Sequence, residues 1–156
     1  MATGGQWPLS GAPSQTPGFT GVSAWHGLWK GTPPTEGGTP APMLATTHAS
    51  TLIGLEAHPV SVEVDVSRGL PLFDLVGLAE AAVRESRTRV RSALEQSGYP
   101  FPLRRVIVNL APADVKKAGT GFDLAVAVAA LAAAGECSTD RLGDYLLLGE
   151  LSLTGG

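Results

Sequence analysis

The chain has 156 residues with Lys+Arg 11 against Asp+Glu 14, a formal net charge of −3, so it is one domain, or one domain plus a tail, without the basic field that recommends nucleic acid or the acidic block of a solvating tail. Its lone cysteine, Cys137, cannot form an internal disulfide and fits a reducing compartment. The longest apolar run, Leu124 to Ala134, falls short of the roughly 20 residues of a membrane span, and the N-terminus lacks a signal peptide's basic start and apolar core; the expectation is a cytoplasmic protein with no membrane partner.

Residues 1–42 carry seven of the twelve prolines and nine of the twenty glycines, with only Lys30 and Glu36 charged, and they follow neither strand nor helix period. Such a segment buries too little apolar surface to offset its ordering entropy, so it is expected to be disordered. Either its tryptophans, Trp7, Trp25 and Trp29, dock a flexible arm on a partner, or the segment is translated upstream sequence and the protein starts at Met43. The second reading is preferred, because interpretable pattern begins at Met43.

Thr47 to Ala57 reads as a short strand with Gly54 at a bulge. His58 to Ser67 alternates Val60, Val62, Val64 and Val66 with Ser61, Glu63, Asp65 and Ser67, the period of a half-buried strand with one wet face. After the Arg68-Gly69 turn, Leu70 to Val76 is a third strand, and the three suggest an antiparallel meander. Ala79 to Ser97 has helical spacing, with Val83, Val90 and Leu94 near one face beside the small Ala82, Ser86 and Ala93, Gly98 as the terminating residue and Pro100 preventing continuation. Its other face mixes Arg84, Arg87, Arg89 and Arg91 with Glu80, Glu85 and Glu95. That face is either a patch for DNA or a neighbouring subunit, or a solvated surface with ion pairs such as Glu80–Arg84; the second is preferred.

Arg104 to Leu110 is a fourth strand feeding the stretch Val106 to Asp123, VIVNLAPADVKKAGTGFD. A strand enters a glycine-bearing loop, and the loop leaves into the apolar helix Leu124 to Ala134, which Gly135 closes. This arrangement can hold an anion, because a helix N-terminus offers free N–H donors. The candidate anion or partner contacts are Lys116, Lys117, Gly119, Thr120 and Gly121; the plainer alternative is a tight connection that needs flexible residues. Asp123 is placed to cap the helix, a role typically worth about 1 kcal/mol. Cys137 to Asp144 is a connection, and Tyr145 to Leu148 is a fifth, interior strand. Leu151 and Leu153 continue toward Gly155-Gly156, a hairpin signal with no returning strand, so the chain is expected to be truncated, marginally stable and self-associating through an unpaired edge. His48 and His58 lack a second ligand pattern, and no metal site is expected.

The segments MLATTHASTLIGLEAHPVSVEVDVSRGLP, VGLAEAAVRESRTRVRSALEQSGYPFP, RRVIVNLAPADVKKAGTGFDLAVAVAAL and LLLGELSLTGG, in this order, resemble the N-terminal (ChlI-like, Lon-protease-like) domain of the magnesium-chelatase-like AAA+ ATPases, the ComM/YifB group. The resemblance covers Met43 to Gly156. It implies an α/β (α+β) fold of the ribosomal-protein domain 2, Lon-protease and GHMP-kinase type, incomplete at the C-terminus. That fold contains a left-handed βαβ crossover, an exception to the usual hand. It implies a parent protein that is a homo-hexameric ATP-driven motor promoting DNA branch migration in natural transformation. ATP and Mg would be bound in an AAA+ module that follows this domain, and the partners would be that module, neighbouring subunits and DNA.

A Lon-type peptidase would need a serine in the loop Gly119-Thr120-Gly121-Phe122-Asp123, where the matching position is Gly121, and a lysine beyond the motif matched by Gly149 to Leu153, where the chain ends. Both halves of the dyad are missing. No G-x-x-x-x-G-K-[ST] occurs, since Lys116-Lys117 precedes the glycines. The expected role is therefore a non-catalytic accessory domain without catalytic, cofactor or metal residues of its own. The alternatives are a phosphate- or nucleic-acid-binding module built on the Lys116–Gly121 loop, and a degenerate peptidase.

Overall fold

The computed structural model describes residues 43–155; the readings placed on the Pro/Gly-rich extension and its tryptophans lie outside the described residues. Seven elements follow in the order β1 (Met43–Ile53), β2 (Glu56–Ser67), β3 (Leu72–Val76), α1 (Ala81–Gln96), β4 (Arg105–Ala111), α2 (Asp123–Ala134) and a single 3-10 turn, Leu142–Asp144. The strands form one mixed sheet in the order β1-β2-β4-β3. β1 and β2 are an antiparallel hairpin, β4 inserts antiparallel to β2, and β3 runs parallel to β4. The fold is thus mixed α/β, with α1 as the crossover of a β3-α1-β4 unit.

The alternation in β2 decides which way the sheet faces. Val60, Val62, Val64 and Val66 are all buried. The register places Ala49, Thr47 and Ala45 beside the first three, and Leu110, Val108 and Val106 beside the last three. Phe73 and Leu75 extend the same rows on β3. One face is therefore a continuous buried layer, apolar but for Thr47, and a one-residue slip would turn every one of these side chains to water. α2 closes this layer. Nearly all of it is buried, as its all-round apolar sequence requires, and the Thr47 hydroxyl donates to the Ala125 carbonyl at 3.0 Å, tying β1 to the helix. The other sheet face carries Glu63, Asp65, Asp74 and Asn109, with the Asn109 amide donating to Glu63 at 2.8 Å.

The structure corrects four expectations. The three early strands are not a meander: β4 sits between β2 and β3, because the β3-α1-β4 crossover supplies the longer apolar strand that β2 needs. Gly54 is not a bulge. Register Ile53↔Glu56 makes Gly54-Leu55 a two-residue hairpin loop, with Gly54 at φ 63 in the place where type II′ turns put glycine. Tyr145 to Leu148 is not an interior strand. It touches the β1 edge through the single parallel bridge His48↔Leu146 and the Leu147 N–H donating to the His48 carbonyl at 2.7 Å. Tyr145, Leu146 and Leu148 stay exposed, because the chain leaves the edge at Gly149 to join the loop before α2. Glu80 does not pair with Arg84; it precedes α1 and its carboxylate meets Lys116.

The ends of α1 match the sequence reading more closely. The Tyr99 N–H donates to the Leu94 carbonyl and the Gly98 N–H to the Glu95 carbonyl, closing the helix at Gly98. Before α1, Gly77 at φ 102 lies directly against β4: a Cβ there would stand 2.2 Å from the Leu110 carbonyl oxygen. No side chain fits without moving a central strand.

Two substitutions separate close approach from backbone conformation alone. Gly54→Ala meets nothing within 4 Å and should cost only the left-handed strain of about 1–2 kcal/mol. Gly77→Ala adds the clash with β4 and should cost roughly 3 kcal/mol or more. Urea unfolding of the two variants checks the ranking, which fails if they are equal.

Candidate functional site

The loop between β4 and α2 brings the predicted residues near one another but does not converge them on a ligand. Lys117 is fully buried. Its N–H donates to the Leu78 carbonyl and its carbonyl accepts from the Glu80 N–H, so its backbone fastens the start of α1. Its ammonium donates to the Pro112 carbonyl, closing the loop on itself. Burial pushes the amine below the ordinary lysine value, against a raising influence from Asp114. This lysine is a staple of the loop and faces no solvent in which to meet an anion. Lys116 is exposed, and its ammonium is 2.5 Å from the Glu80 carboxylate.

Gly119 and Gly121 flank Thr120. A Cβ at either glycine would meet nothing within 4 Å, and Gly119 stands at φ 84, in the left-handed region that favours glycine. The Thr120 hydroxyl donates to the Glu150 carboxylate at 2.8 Å. That places a negative charge beside the loop and opposes an anion there.

The centre of the region is Asp123. It does not cap α2: Phe122 occupies the cap position, no side chain satisfies the helix end, and Asp123 is the first helical residue. Its carboxylate is fully buried and turned toward α1. Oδ2 accepts from Arg89 Nε at 2.6 Å and Oδ1 from Arg89 Nη2 at 3.1 Å, a bidentate pair. Oδ2 also accepts the Leu151 N–H at 3.2 Å. The hydrogen bond to Asp123 raises the Arg89 pKa against the opposing cost of burial, and Arg89 Nη2 further donates to the Ala82 carbonyl at 3.3 Å.

Around this pair the backbone is laced to the C-terminal segment. The Gly149 N–H donates to the Gly121 carbonyl at 3.0 Å, and the Leu124 N–H to the Gly149 carbonyl at 3.1 Å. α1, the loop, the start of α2 and residues 149–151 thus meet at one ion pair. With three donors on one carboxylate, the site holds segments together and offers no free base or nucleophile. The Thr120 hydroxyl has its donor committed to Glu150. Among the described residues no group of three or more His, Cys, Asp or Glu could hold a metal ion, and no helix is long and apolar enough to cross a membrane.

Sequence reasoning treated Arg89 as one of four surface arginines, yet its side chain is only 17% exposed. The available signal was its spacing. Arg89 follows Ala82 by seven residues and Ser86 by three, on the edge of the apolar face, and a charge there implies a buried partner. The remaining helix arginines are solvated: Arg84 donates to the Ala79 carbonyl, Arg87 contacts Asp74, and Arg91 pairs with Glu95.

The signature of the family described as "Subunit ChlI of Mg-chelatase" matches residues 62–156. The chain is 46% identical over 112 residues to the protein YifB of Escherichia coli (strain K12), an alignment covering 72% of this chain and 22% of that protein. It is 48% identical over 112 residues to YifB of Salmonella typhimurium and 43% identical over 112 residues to competence protein ComM of Haemophilus influenzae, with the same shares covered. The chain therefore spans about a fifth of the length of the curated relatives it matches.

Two predictions arise from the buried charges. Asp123→Ala removes a buried charge and no cap: it strands the Arg89 guanidinium and the Leu151 N–H, and should cost about 3–5 kcal/mol. Arg89→Met should cost a comparable amount, and the double variant clearly less than the sum of the two; additive losses in denaturant titrations would refute the coupling. For Lys117, whose folded pKa lies below its unfolded 10.5, the unfolded chain holds more protons between the lowered value and 10.5. Stability should rise with pH across that window, and the slope should vanish in Lys117→Met.

Proposed function

From a chain that belongs to the family of the Mg-chelatase subunit ChlI, we infer a non-catalytic accessory domain at the N-terminus of a magnesium-chelatase-like AAA+ ATPase of the ComM/YifB group. The whole protein is an ATP-driven motor that promotes DNA branch migration in the cytoplasm. ATP and Mg are bound by its AAA+ module, and this domain packs on that module and on neighbouring subunits of a homo-hexamer, within reach of DNA.

The observation that carries the reading is the state of the loop before α2. A catalytic site in this position needs an unpaired nucleophile at the helix start with a base in reach. Here Gly121 stands at the position expected for the nucleophile, and Asp123 is buried against Arg89 and the 149–151 segment. Chemistry is replaced by attachment: the strongest polar contacts fasten the segment that leads onward in the chain. The element order β-β-β-α-β-α, with its parallel β3-α1-β4 unit, supports the narrower assignment to the ribosomal-protein domain 2, Lon and GHMP-kinase fold with a left-handed crossover. The anion-binding alternative has lost Lys117 to the interior.

Purified chain should hydrolyse neither ATP nor peptides and should take no label from a serine-directed fluorophosphonate probe. Turnover above background that disappears in Thr120→Val or Lys117→Met would overturn the reading. In a full-length family member, deletion of this domain should leave ATP hydrolysis by the AAA+ module and lower DNA branch migration. Loss of all nucleotide hydrolysis would instead give the domain a direct part in the ATPase.

A further inference from the structure

Five of the eight arginines among the described residues use their guanidinium in a hydrogen bond or ion pair: Arg84, Arg87, Arg89, Arg91 and Arg141. The three without an ion pair or side-chain hydrogen bond are Arg68, Arg104 and Arg105, and they lie together. Arg105 is the register partner of Ser67 on one side and Leu72 on the other. A Cβ on Gly69 would come 3.7 Å from the Arg105 Cβ, and the Leu72 N–H donates to the Arg104 carbonyl. Exposed leucines are interleaved with them: Leu70 at 87%, Leu103 at 76% and Leu72 at 47%. Pro71 and Pro102 stiffen the two turns that present the cluster, and the Phe73 and Phe101 rings pack together in the same segments at 4.8 Å. The patch is therefore held in shape before any partner arrives.

The opposite end of the sheet carries its counterpart. β2 runs from the hairpin loop at Glu56 to the arginine end at Ser67, a span of about 40 Å at common strand rise. β4 pairs with β2 only from Ser61 onward, so the β1-β2 ribbon overhangs the sheet. Its tip exposes Leu55 completely, Leu52 at 71% and Ile53 at 47%, next to the exposed carboxylate of Glu56.

We propose that the ribbon tip of one copy of this chain docks on the Arg68, Leu70, Leu72, Leu103, Arg104 and Arg105 patch of another, so that copies associate head to tail. The chemistry selects this occupant. A bare phosphate backbone would satisfy the arginines and leave three leucines wet, whereas an apolar tip beside a carboxylate answers both. The chain as a whole is acidic at −3, so the surface outside the three cations is more acidic still and attracts the patch. Pairing of two patches face to face would set arginine against arginine, which disfavours an isologous dimer. A head-to-tail contact either closes into a ring or extends as a filament. The proposal rests on the accessory reading, whose packing between neighbouring subunits it assigns to named surfaces; a monomeric chain would overturn the interface and leave the non-catalytic role intact, and ATP turnover would overturn that role without touching the interface.

The test uses the full chain and two surface variants, Leu55→Lys at the tip and Leu70→Lys in the patch; both side chains are exposed and lie outside the core, and thermal unfolding verifies that each variant folds. Sedimentation velocity over a concentration series should show the native chain associating, more weakly as salt rises. Each variant should weaken association by about tenfold or more. A mixture of the two retains one intact tip and one intact patch per pair and should stop at a heterodimer. A native chain that stays monomeric, variants that assemble as the native chain does, association insensitive to salt, or a mixture that remains monomeric would each overturn the proposal.

Discussion

The ion pair between Asp123 and Arg89 is the contact on which the arrangement of this domain depends. A carboxylate with no exposure tolerates ionisation only when its oxygens are satisfied, and here two guanidinium nitrogens and the Leu151 N–H do so. The two donor residues, Arg89 and Leu151, come from different parts of the chain. The pair consequently fixes the angle at which α1 meets the start of α2, and it decides where residues 149–151 run. A hydrophobic substitute could fill the volume, but it would leave the Leu151 N–H without this acceptor. Through that donor the interior of the domain is connected to the segment that continues toward its C-terminus.

Lys117 plays the complementary part on the other side of the loop. Its backbone holds the approach to α1, while its amine turns inward to the Pro112 carbonyl. Two charged residues six positions apart, Lys117 and Asp123, are thus both withdrawn from solvent, and the loop between them is left with glycines and Thr120. The polar capacity of the loop is spent internally.

The surface is organised as consistently as the interior. One sheet face is closed by α2. The exposed large apolar side chains concentrate at the ribbon tip, at the arginine end and along the chain after the 3-10 turn. Among the described residues, the free side of β1 carries the bridge to Leu146 and the hydrogen bond from the Leu147 N–H. The unpaired edge expected at the chain's last apolar run is absent, because that run forms no strand of the sheet; β1 is an outer strand in the sheet order.

The elements legible in the sequence were those governed by local periodicity. The valine alternation of β2, the closure of α1 at Gly98 and the all-round apolar character of α2 each follow from spacing of residues a few positions apart, and the structure has them where the pattern put them. The family was legible for the same reason, because long motifs in fixed order are a property of the linear chain. Sheet order was not: the insertion of β4 between β2 and β3 depends on which strands find apolar partners after α1 has crossed. Nor were the roles of single charges. Lys117 reads as a phosphate ligand and Asp123 as a cap when only sequence neighbours are considered. Their actual partners, the Pro112 carbonyl for the one and Arg89, 34 positions away, with Leu151 for the other, are brought within reach only by packing. Local pattern determines which face of an element is dry. Whether a charge on that element is solvated or buried depends on what the rest of the chain lays over it, and only the tertiary structure decides that.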